Sequence, residues 1–246
     1  MSKTQTRRVL VTGSSRGIGR ALALGLAQDG YELVVHCASN RAKAKETRKL
    51  IEEKGGKASV VTGDLTDPCT AERLMAENGP LDALVLDASM QIRRPWQKIS
   101  LEEYQKQMTC NFYSSLRLIQ LAVPHMKAQK WGRIVTIGSV QERKPHPDML
   151  VYSASKAAQT NMVQSLAQQL AADGITVNNV APGVIFTDRN VEALSDPTYA
   201  AEVTASIPAG FYGEPRDCAG VVRLLLSDAA RYITGQSIYV DGGKSL

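Results

Sequence analysis

The run Val9-Leu10-Val11-Thr12-Gly13-Ser14-Ser15-Arg16-Gly17-Ile18-Gly19 decides the architecture of this chain. Val9–Thr12 is apolar and β-branched, the pattern of a short strand covered on both faces. The glycines that follow are spaced G-x-x-x-G-x-G. Gly13 permits a tight turn, Gly17 lets backbone approach a pyrophosphate, and Gly19 lets the next helix pack close to the strand. Amide groups at the start of that helix then face an anion. A glycine-rich turn also joins strands to helices where nothing binds, and alone the loop divides evenly between the two readings. Its place directly after the first strand favours a ligand.

Outward from this loop, short β-branched runs alternate with longer helical patterns. The strand candidates are Val9–Thr12, Leu33–His36, Ala58–Val61, Ala83–Leu86, Arg133–Ile137, Thr176–Val180 and Ser237–Val240. One intervening helix opens at Ser100 with Glu103 three residues later, a capping box. Such alternation predicts right-handed βαβ units. The fold class is therefore α/β: a single-domain Rossmann-type, doubly wound parallel sheet of about seven strands with helices on both faces, residues 1–246 forming one domain. Ligands on such sheets bind beyond the carboxyl ends of the strands.

Composition narrows the function classes. Of 246 residues 43% are apolar and 22% charged, which supports a large core and excludes wholesale disorder. No apolar stretch approaches the roughly 18 residues of a membrane span. Met1–Arg8 is polar and basic, without the apolar core or cleavage site of a secretory signal. The net charge is +5, and Arg41–Lys57 holds seven basic residues against three acids. A surplus that local suggests one anionic ligand rather than a nucleic-acid face, although a solvated helix face explains it equally. Cys37, Cys69, Cys110 and Cys218 form no C-x-x-C pair, and His36, His125 and His146 show no metal spacing. A reducing, cytoplasmic setting without metal, membrane or nucleic acid is the expectation.

The end of the second strand reads His36-Cys37-Ala38-Ser39-Asn40-Arg41, with no acid to take a ribose 2′-hydroxyl. Arg16 and Arg41 in its place favour a 2′-phosphate, hence NADPH. A plain surface role for Arg41 weighs almost equally.

Tyr152 and Lys156 sit at i and i+4, on one face of a helix. From Val151 to Ala172 Lys156 is the one charged residue, so the helix is expected to be buried. A tyrosine with its usual pKa near 10 is a poor acid at neutral pH. A unit charge at 4 Å contributes at most about 4 kcal/mol at an effective dielectric of 20. That is enough to lower the phenol's pKa by roughly three units. Y-x-x-x-K also arises by chance, as a core tyrosine beside a snorkelling lysine. Ser139 tips the balance: Ile134–Ile137 ends in Gly138-Ser139, which puts a hydroxyl at the same sheet edge as the glycine loop, able to polarise a carbonyl. A serine-protease reading fails, since no histidine and acid are placed as partners.

Together these stretches resemble the short-chain dehydrogenase/reductase family over nearly the whole chain, and most strongly its β-ketoacyl-acyl-carrier-protein reductase-like members. The resemblance rests on Thr12–Gly19, Gly132–Val140, Tyr152–Lys156, Asn178–Gly183 and Tyr239–Gly243. It implies a tetrad in which Asn111 holds a water of the proton relay, Ser139 binds the substrate oxygen, Tyr152 is the general acid, and Lys156 binds the nicotinamide ribose and acidifies Tyr152. It implies NADP(H) contacts from Gly13, Ser15, Arg16, Gly17, Ile18 and Gly19, and from Ser39, Asn40 and Arg41. Asp64 and Leu65 would meet the adenine, and Ala88, Pro182, Gly183, Ile185 and Thr187 the nicotinamide half. It further implies sheet order 3-2-1-4-5-6-7 and a homotetramer with the tyrosine helix at a subunit interface. Two places depart from the family. Leu86-Asp87-Ala88-Ser89 stands where N-N-A-G is usual, and the segment from Asp64 to Asp82 is short.

The expected reaction is NADPH-dependent reduction of a ketone to a secondary alcohol, without metal. A 3-oxoacyl thioester on acyl carrier protein is the first substrate reading. Gln141, with Met90, Gln91 and the segment 184–212, would shape the substrate pocket. Lys127, Lys130, Arg133, Arg93 and Arg94 would receive an acidic carrier, unless they merely solvate a helix end. The alternatives are a dehydrogenase of small alcohols, polyols or sugars, and a catalytically silent cofactor-sensing module.

Overall fold

The computed structural model describes residues 6–188 and 190–246. Seven parallel strands form one sheet: β1 (Arg8–Thr12), β2 (Glu32–Cys37), β3 (Lys57–Thr62), β4 (Ala83–Leu86), β5 (Gly132–Ile137), β6 (Ile175–Pro182) and β7 (Ser237–Val240). Their order is β3-β2-β1-β4-β5-β6-β7, as the resemblance implied. Every strand expected from sequence is present, most of them a residue or two longer.

The core follows from the two-residue period of strands. Val9, Val11, Leu33, Val35 and Val85 face one side and pack under α1 (Gly17–Gln28) and α9 (Ala219–Leu226). Leu10, Val34, Leu84, Leu86 and Ile134 face the other side. There they meet α3 (Thr70–Asn78), α5 (Ser114–Ala128) and α6 (Leu150–Leu170). Each fully buried aliphatic side chain contributes about 1.5–3 kcal/mol. α2 (Arg41–Glu52) covers the β2–β3 end, and α3, only nine residues long, accounts for the short segment after Asp64.

α4 (Leu101–Met108) opens with the expected capping box, Ser100 Oγ accepting from Glu103 N and Glu103 accepting from Ser100 N. A π turn at Thr109–Tyr113 separates α4 from α5. Such turns insert a residue into the helical ladder and often mark functional sites. α7 (Val191–Leu194) and α8 (Pro197–Ala205) lie in the segment after β6.

The chain winds outward from β1 to β3, then returns to β4 on the other side of β1. This reversal opens a crevice at the carboxyl ends of β1 and β4. The tyrosine helix corrects one expectation. α6 is buried on one face only, and Ala154, Ala157, Asn161, Gln164 and Gln168 are exposed along the other. Its lack of charge therefore leaves an uncharged surface rather than a buried rod.

Candidate active site

Gly13 and Gly17 adopt φ of +71° and +56°, a region that side chains disfavour. A Cβ on Gly19 would lie 2.7 Å from the Gly13 carbonyl oxygen and equally close to Asp87 Oδ2. Helix α1 can approach the loop only because that position is glycine. Ser14 Oγ donates to Val11 O at 2.6 Å and accepts from His36 N at 3.0 Å. Gly13 N donates to His36 Nδ1 at 3.1 Å, and His36 Nε2 lies 2.9 Å from Gly63 O. Burial pushes the His36 imidazole down to about 4, against the opposing pull of the Gly63 carbonyl and the Asp64 charge. Thus His36, which sequence reading set aside as a lone histidine, is a neutral brace under the glycine loop.

Thr12 Oγ1 accepts from both Asp87 N and Ala88 N at 3.0 Å. This tie between β1 and β4 survives the departure at Leu86–Ser89. Asp87, which was not expected as a contact, stands against the glycine loop and lines the cavity.

Arg16 Nη1 and Lys43 Nζ both reach Asp188 Oδ2, at 3.4 and 3.3 Å. The hydrogen bond from Lys43 chiefly, with the charges of Lys43 and Arg16, holds the Asp188 carboxyl below its usual range. Asp188 belongs to the segment after β6, so its carboxylate bridges the two sides of the crevice. This is an anion seated between two cations beside the glycine loop. Ser39, Asn40 and Arg41 lie exposed at the end of β2 without an acid among them; Asn40 Oδ1 caps α2 by accepting from Lys43 N at 3.0 Å, and Arg41 Nη1 reaches Thr62 Oγ1 at 3.5 Å. The donor set fits a dinucleotide with an additional phosphate: amides and glycines for the pyrophosphate, Arg16 and Lys43 for the extra charge. Lys43 had not been foreseen.

Ser139 follows β5 after Gly138. Its Oγ accepts from Gln141 N at 3.2 Å, and Gln141 Oε1 accepts from Ser153 Oγ at 3.0 Å. Tyr152 and Lys156 are 5% and 1% exposed. Lys156 Nζ lies 5.8 Å from the Tyr152 ring centre. The ammonium donates to Ile137 O at 2.7 Å and Gln159 Oε1 at 3.2 Å, both neutral acceptors. Asn111, within the π turn, donates from Nδ2 to Met90 O and Ser155 Oγ, each at 2.9 Å, and accepts from Met90 N at 2.7 Å. Its side chain thereby ties the loop after β4 to the tyrosine helix.

Behind Ser139, the Glu142 carboxylate accepts from Asn179 Nδ2 in β6, Ser237 Oγ and Tyr239 OH in β7, and Thr160 Oγ1 in α6. A Cβ at Gly138 would fall 2.6 Å from both Asn179 and Glu142, so the turn carrying Ser139 is packed onto this hub.

One cavity of about 860 Å³ joins these parts. It is lined by Gly13, Ser15, Arg16, Gly17 and Ile18; by Asp64, Leu65 and Ala88; by Ser139, Gln141 and Tyr152; and by Pro182, Gly183, Ile185 and Thr187. Gly19, Asn111 and Lys156, which are buried, and Ser39, Asn40 and Arg41, which are exposed, are not among its lining residues. Among the described residues no group of three or more His, Cys, Asp or Glu side chains is placed to hold a metal ion. No helix among them is long and apolar enough to cross a membrane.

The five cations expected to receive a carrier protein do not share a face. Lys127 and Lys130 precede β5 at the amino edge of the sheet and both pair with Asp173. Arg133, at the start of β5, is 2% exposed, stacks on Trp131 and pairs with Asp228. Arg93 and Arg94 follow β4 at the carboxyl edge, where Arg93 lines the cavity and Arg94 pairs with Glu103. A parallel strand carries its two ends to opposite sides of the molecule, and this divides the group.

A model of the family described as enoyl-(acyl carrier protein) reductase matches residues 13–245. The chain is 36% identical over 245 residues to a glucose 1-dehydrogenase of Gluconobacter oxydans, covering 98% of this chain and 92% of that one. It is likewise 36% identical over 242 residues to a 3-oxoacyl-(acyl-carrier-protein) reductase of Staphylococcus aureus, covering 97% and 98%. The crystal structure of a 3-oxoacyl (acyl-carrier-protein) reductase from Agrobacterium tumefaciens with NADP bound superimposes with a TM-score of 0.93 at 36% identity, covering 96% of this chain and 93% of that one.

Proposed function

Since this chain belongs to the short-chain dehydrogenase/reductase family of oxidoreductases, we propose that it interconverts a ketone and a secondary alcohol with NADP(H). The observation that carries this reading is the placement of Tyr152 and Ser139 at one cavity with the glycine loop, with the buried ammonium of Lys156 near the Tyr152 ring.

When bound, the cofactor supplies or accepts hydride at the carbon that bears the oxygen. Gly13, Ser15, Gly17, Ile18 and Gly19 hold its pyrophosphate, and Arg16 and Lys43 its 2′-phosphate, with Ser39, Asn40 and Arg41 at the rim. Asp64 and Leu65 meet the adenine; Ala88, Pro182, Gly183, Ile185 and Thr187 meet the nicotinamide half. Ser139 Oγ accepts from the Gln141 amide, which leaves its own hydrogen for the substrate oxygen. Tyr152 gives its phenolic proton to that oxygen in reduction and takes it back in oxidation. The ammonium of Lys156, which donates to the Ile137 carbonyl and the Gln159 amide oxygen, stabilises the phenolate. Asn111 holds the loop after β4 against the tyrosine helix and marks the start of the proton path.

Between the two substrate readings, the dispersal of Lys127, Lys130 and Arg133 from the cavity favours a small soluble ketone or alcohol over a carrier-bound one. The 3-oxoacyl thioester reading draws its support from the Staphylococcus aureus and Agrobacterium tumefaciens relatives, and the small-alcohol reading from the Gluconobacter oxydans relative. The uncharged exposed face of α6 supports packing against other copies in a homotetramer, and four free thiols suit a cytoplasmic setting. The deciding experiment measures turnover with NADPH and NADH on an acyl thioester, a small ketone and a set of polyols. NADPH-linked turnover of any ketone or alcohol, abolished in Tyr152→Phe, upholds the reading; cofactor binding without turnover makes the chain a silent cofactor sensor.

A further inference from the structure

Both signs of charge line the cavity at the glycine loop, but only one lines its other end. Its carboxylates, Asp64, Asp87 and Asp188, all lie on the side of the glycine loop: Asp64 after β3, Asp87 against Gly13 and Gly19, Asp188 on Arg16 and Lys43. Past Ser139 and Tyr152 the charged side chains among the described lining residues are Arg93, Lys144 and Lys244, all basic. They come from three separate carboxyl-edge connections, after β4, after β5 and after β7.

None of the three has a side-chain carboxylate among the described residues within 4 Å, whereas Arg94, next to Arg93, has Glu103. Lys244 Nζ donates to Ser206 Oγ at 2.6 Å, in the turn that ends α8. Lys144 Nζ donates to the main-chain oxygens of Lys244, at 3.1 Å, and Leu246. Even with the Leu246 oxygen beside Lys144, this end of the cavity keeps a surplus of positive charge. Cations in surplus repel one another, and a cleft whose net charge has one sign concentrates ligands of the other. The neighbouring lining groups, Gln91, Gln141, Tyr199 and Ser206, are neutral hydrogen-bonding side chains suited to a hydroxylated or carbonyl-bearing chain.

We propose that the substrate of this site is a small molecule bearing a carboxylate, held by Arg93, Lys144 and Lys244 while its carbonyl or alcohol carbon lies between Ser139 and Tyr152. This rests on the oxidoreductase reading above and names its substrate class. Binding energy from a group remote from the reacting carbon then orients that carbon. It also explains why cations line the far end although the cofactor's own phosphates are met by Arg16 and Lys43.

The test pairs acids with uncharged partners of nearly equal shape: acetoacetate with methyl acetoacetate, levulinate with methyl levulinate, and gluconate with glucitol. Binding to the NADP-loaded protein is measured by calorimetry, and turnover by nicotinamide absorbance. At low salt at least one acid binds about tenfold tighter than its partner, the gain of one charge-assisted hydrogen bond. The preference shrinks as salt rises, since the cations are solvent-accessible. In Arg93→Gln/Lys244→Gln the acid-to-partner ratio falls towards one. In Lys127→Gln, at the opposite sheet edge, it keeps the wild-type value. Turnover without preference for any acid overturns the inference and leaves the oxidoreductase reading standing. Preferential acid binding with no turnover upholds the inference and removes the catalytic reading. A preference that persists in the double variant also overturns it, because the selectivity then resides elsewhere.

Discussion

The hydrogen bond between Gly13 and His36 fixes the protonation state of a residue that touches neither the reacting carbon nor Tyr152. A main-chain amide only donates, so His36 Nδ1 is the acceptor and the ring proton sits on Nε2, directed at the Gly63 carbonyl. A second proton would turn the acceptor into a donor facing another donor, at the base of the glycine loop.

Acid should therefore loosen this loop. In the folded protein His36 titrates at about 4, below its ordinary value of 6.5. The neutral ring's contribution is complete above about pH 6.5 and is lost as pH falls from 6.5 towards 4, where the unfolded chain binds the proton more readily. Spread over that window, the loss amounts to about 3 kcal/mol. Urea unfolding at pH 7 and pH 4.5 measures it. His36→Phe should flatten this part of the profile, cost about 1–3 kcal/mol at pH 7 by stranding the Gly13 amide, and raise the KM for NADPH.

Tyr152→Phe removes the proton donor while leaving the packed ring. Steady-state assays should show kcat reduced by roughly 10²–10⁴-fold, the usual weight of general acid–base catalysis. Lys156→Met should lower kcat comparably and weaken cofactor binding as well. Lys156→Arg should not restore activity, because a planar fork does not replace a point charge inside a closed pocket.

Cofactor choice should reside in the two cations that grip Asp188. Arg16→Gln and Lys43→Gln are each expected to raise the KM for NADPH about tenfold while altering that for NADH far less, the expected loss of one charge-assisted contact. Asp188→Asn should move the KM for NADPH the other way, since the carboxylate seated between those cations competes with the phosphate. Kinetics with both nucleotides decide this, and equal effects on the two would assign the cations to the pyrophosphate instead.

Gly138→Ala places a methyl group 2.6 Å from Asn179 and Glu142, inside the normal contact distance. The turn bearing Ser139 must then shift. An overpacking penalty of about 1–3 kcal/mol is expected in thermal or urea unfolding, together with a fall in kcat larger than any change in KM for NADPH.

The strands and the glycine loop were legible because their signals are local: β-branched runs, glycine spacing, a helical turn between Tyr152 and Lys156. What was missed depends on register between distant segments. His36 becomes a brace only when β2 and β3 lie side by side, bringing Gly63 within reach of its ring. Lys43 acquires its role only when Asp188 crosses the crevice. The misplacement of Lys127, Lys130 and Arg133 is of another kind. They lie close to Ser139 along the chain, yet residues before a parallel strand and residues after it emerge on opposite edges, and strand polarity alone separates them. For α6, the missing charges marked an uncharged surface rather than full burial, a distinction periodicity does not draw.

The Glu142 hub has a bearing on biosynthesis. The turn that presents Ser139 is anchored to Ser237 and Tyr239, which arrive almost a hundred residues later in translation. The turn that bears Ser139 is thus fully moored only once the final strand docks.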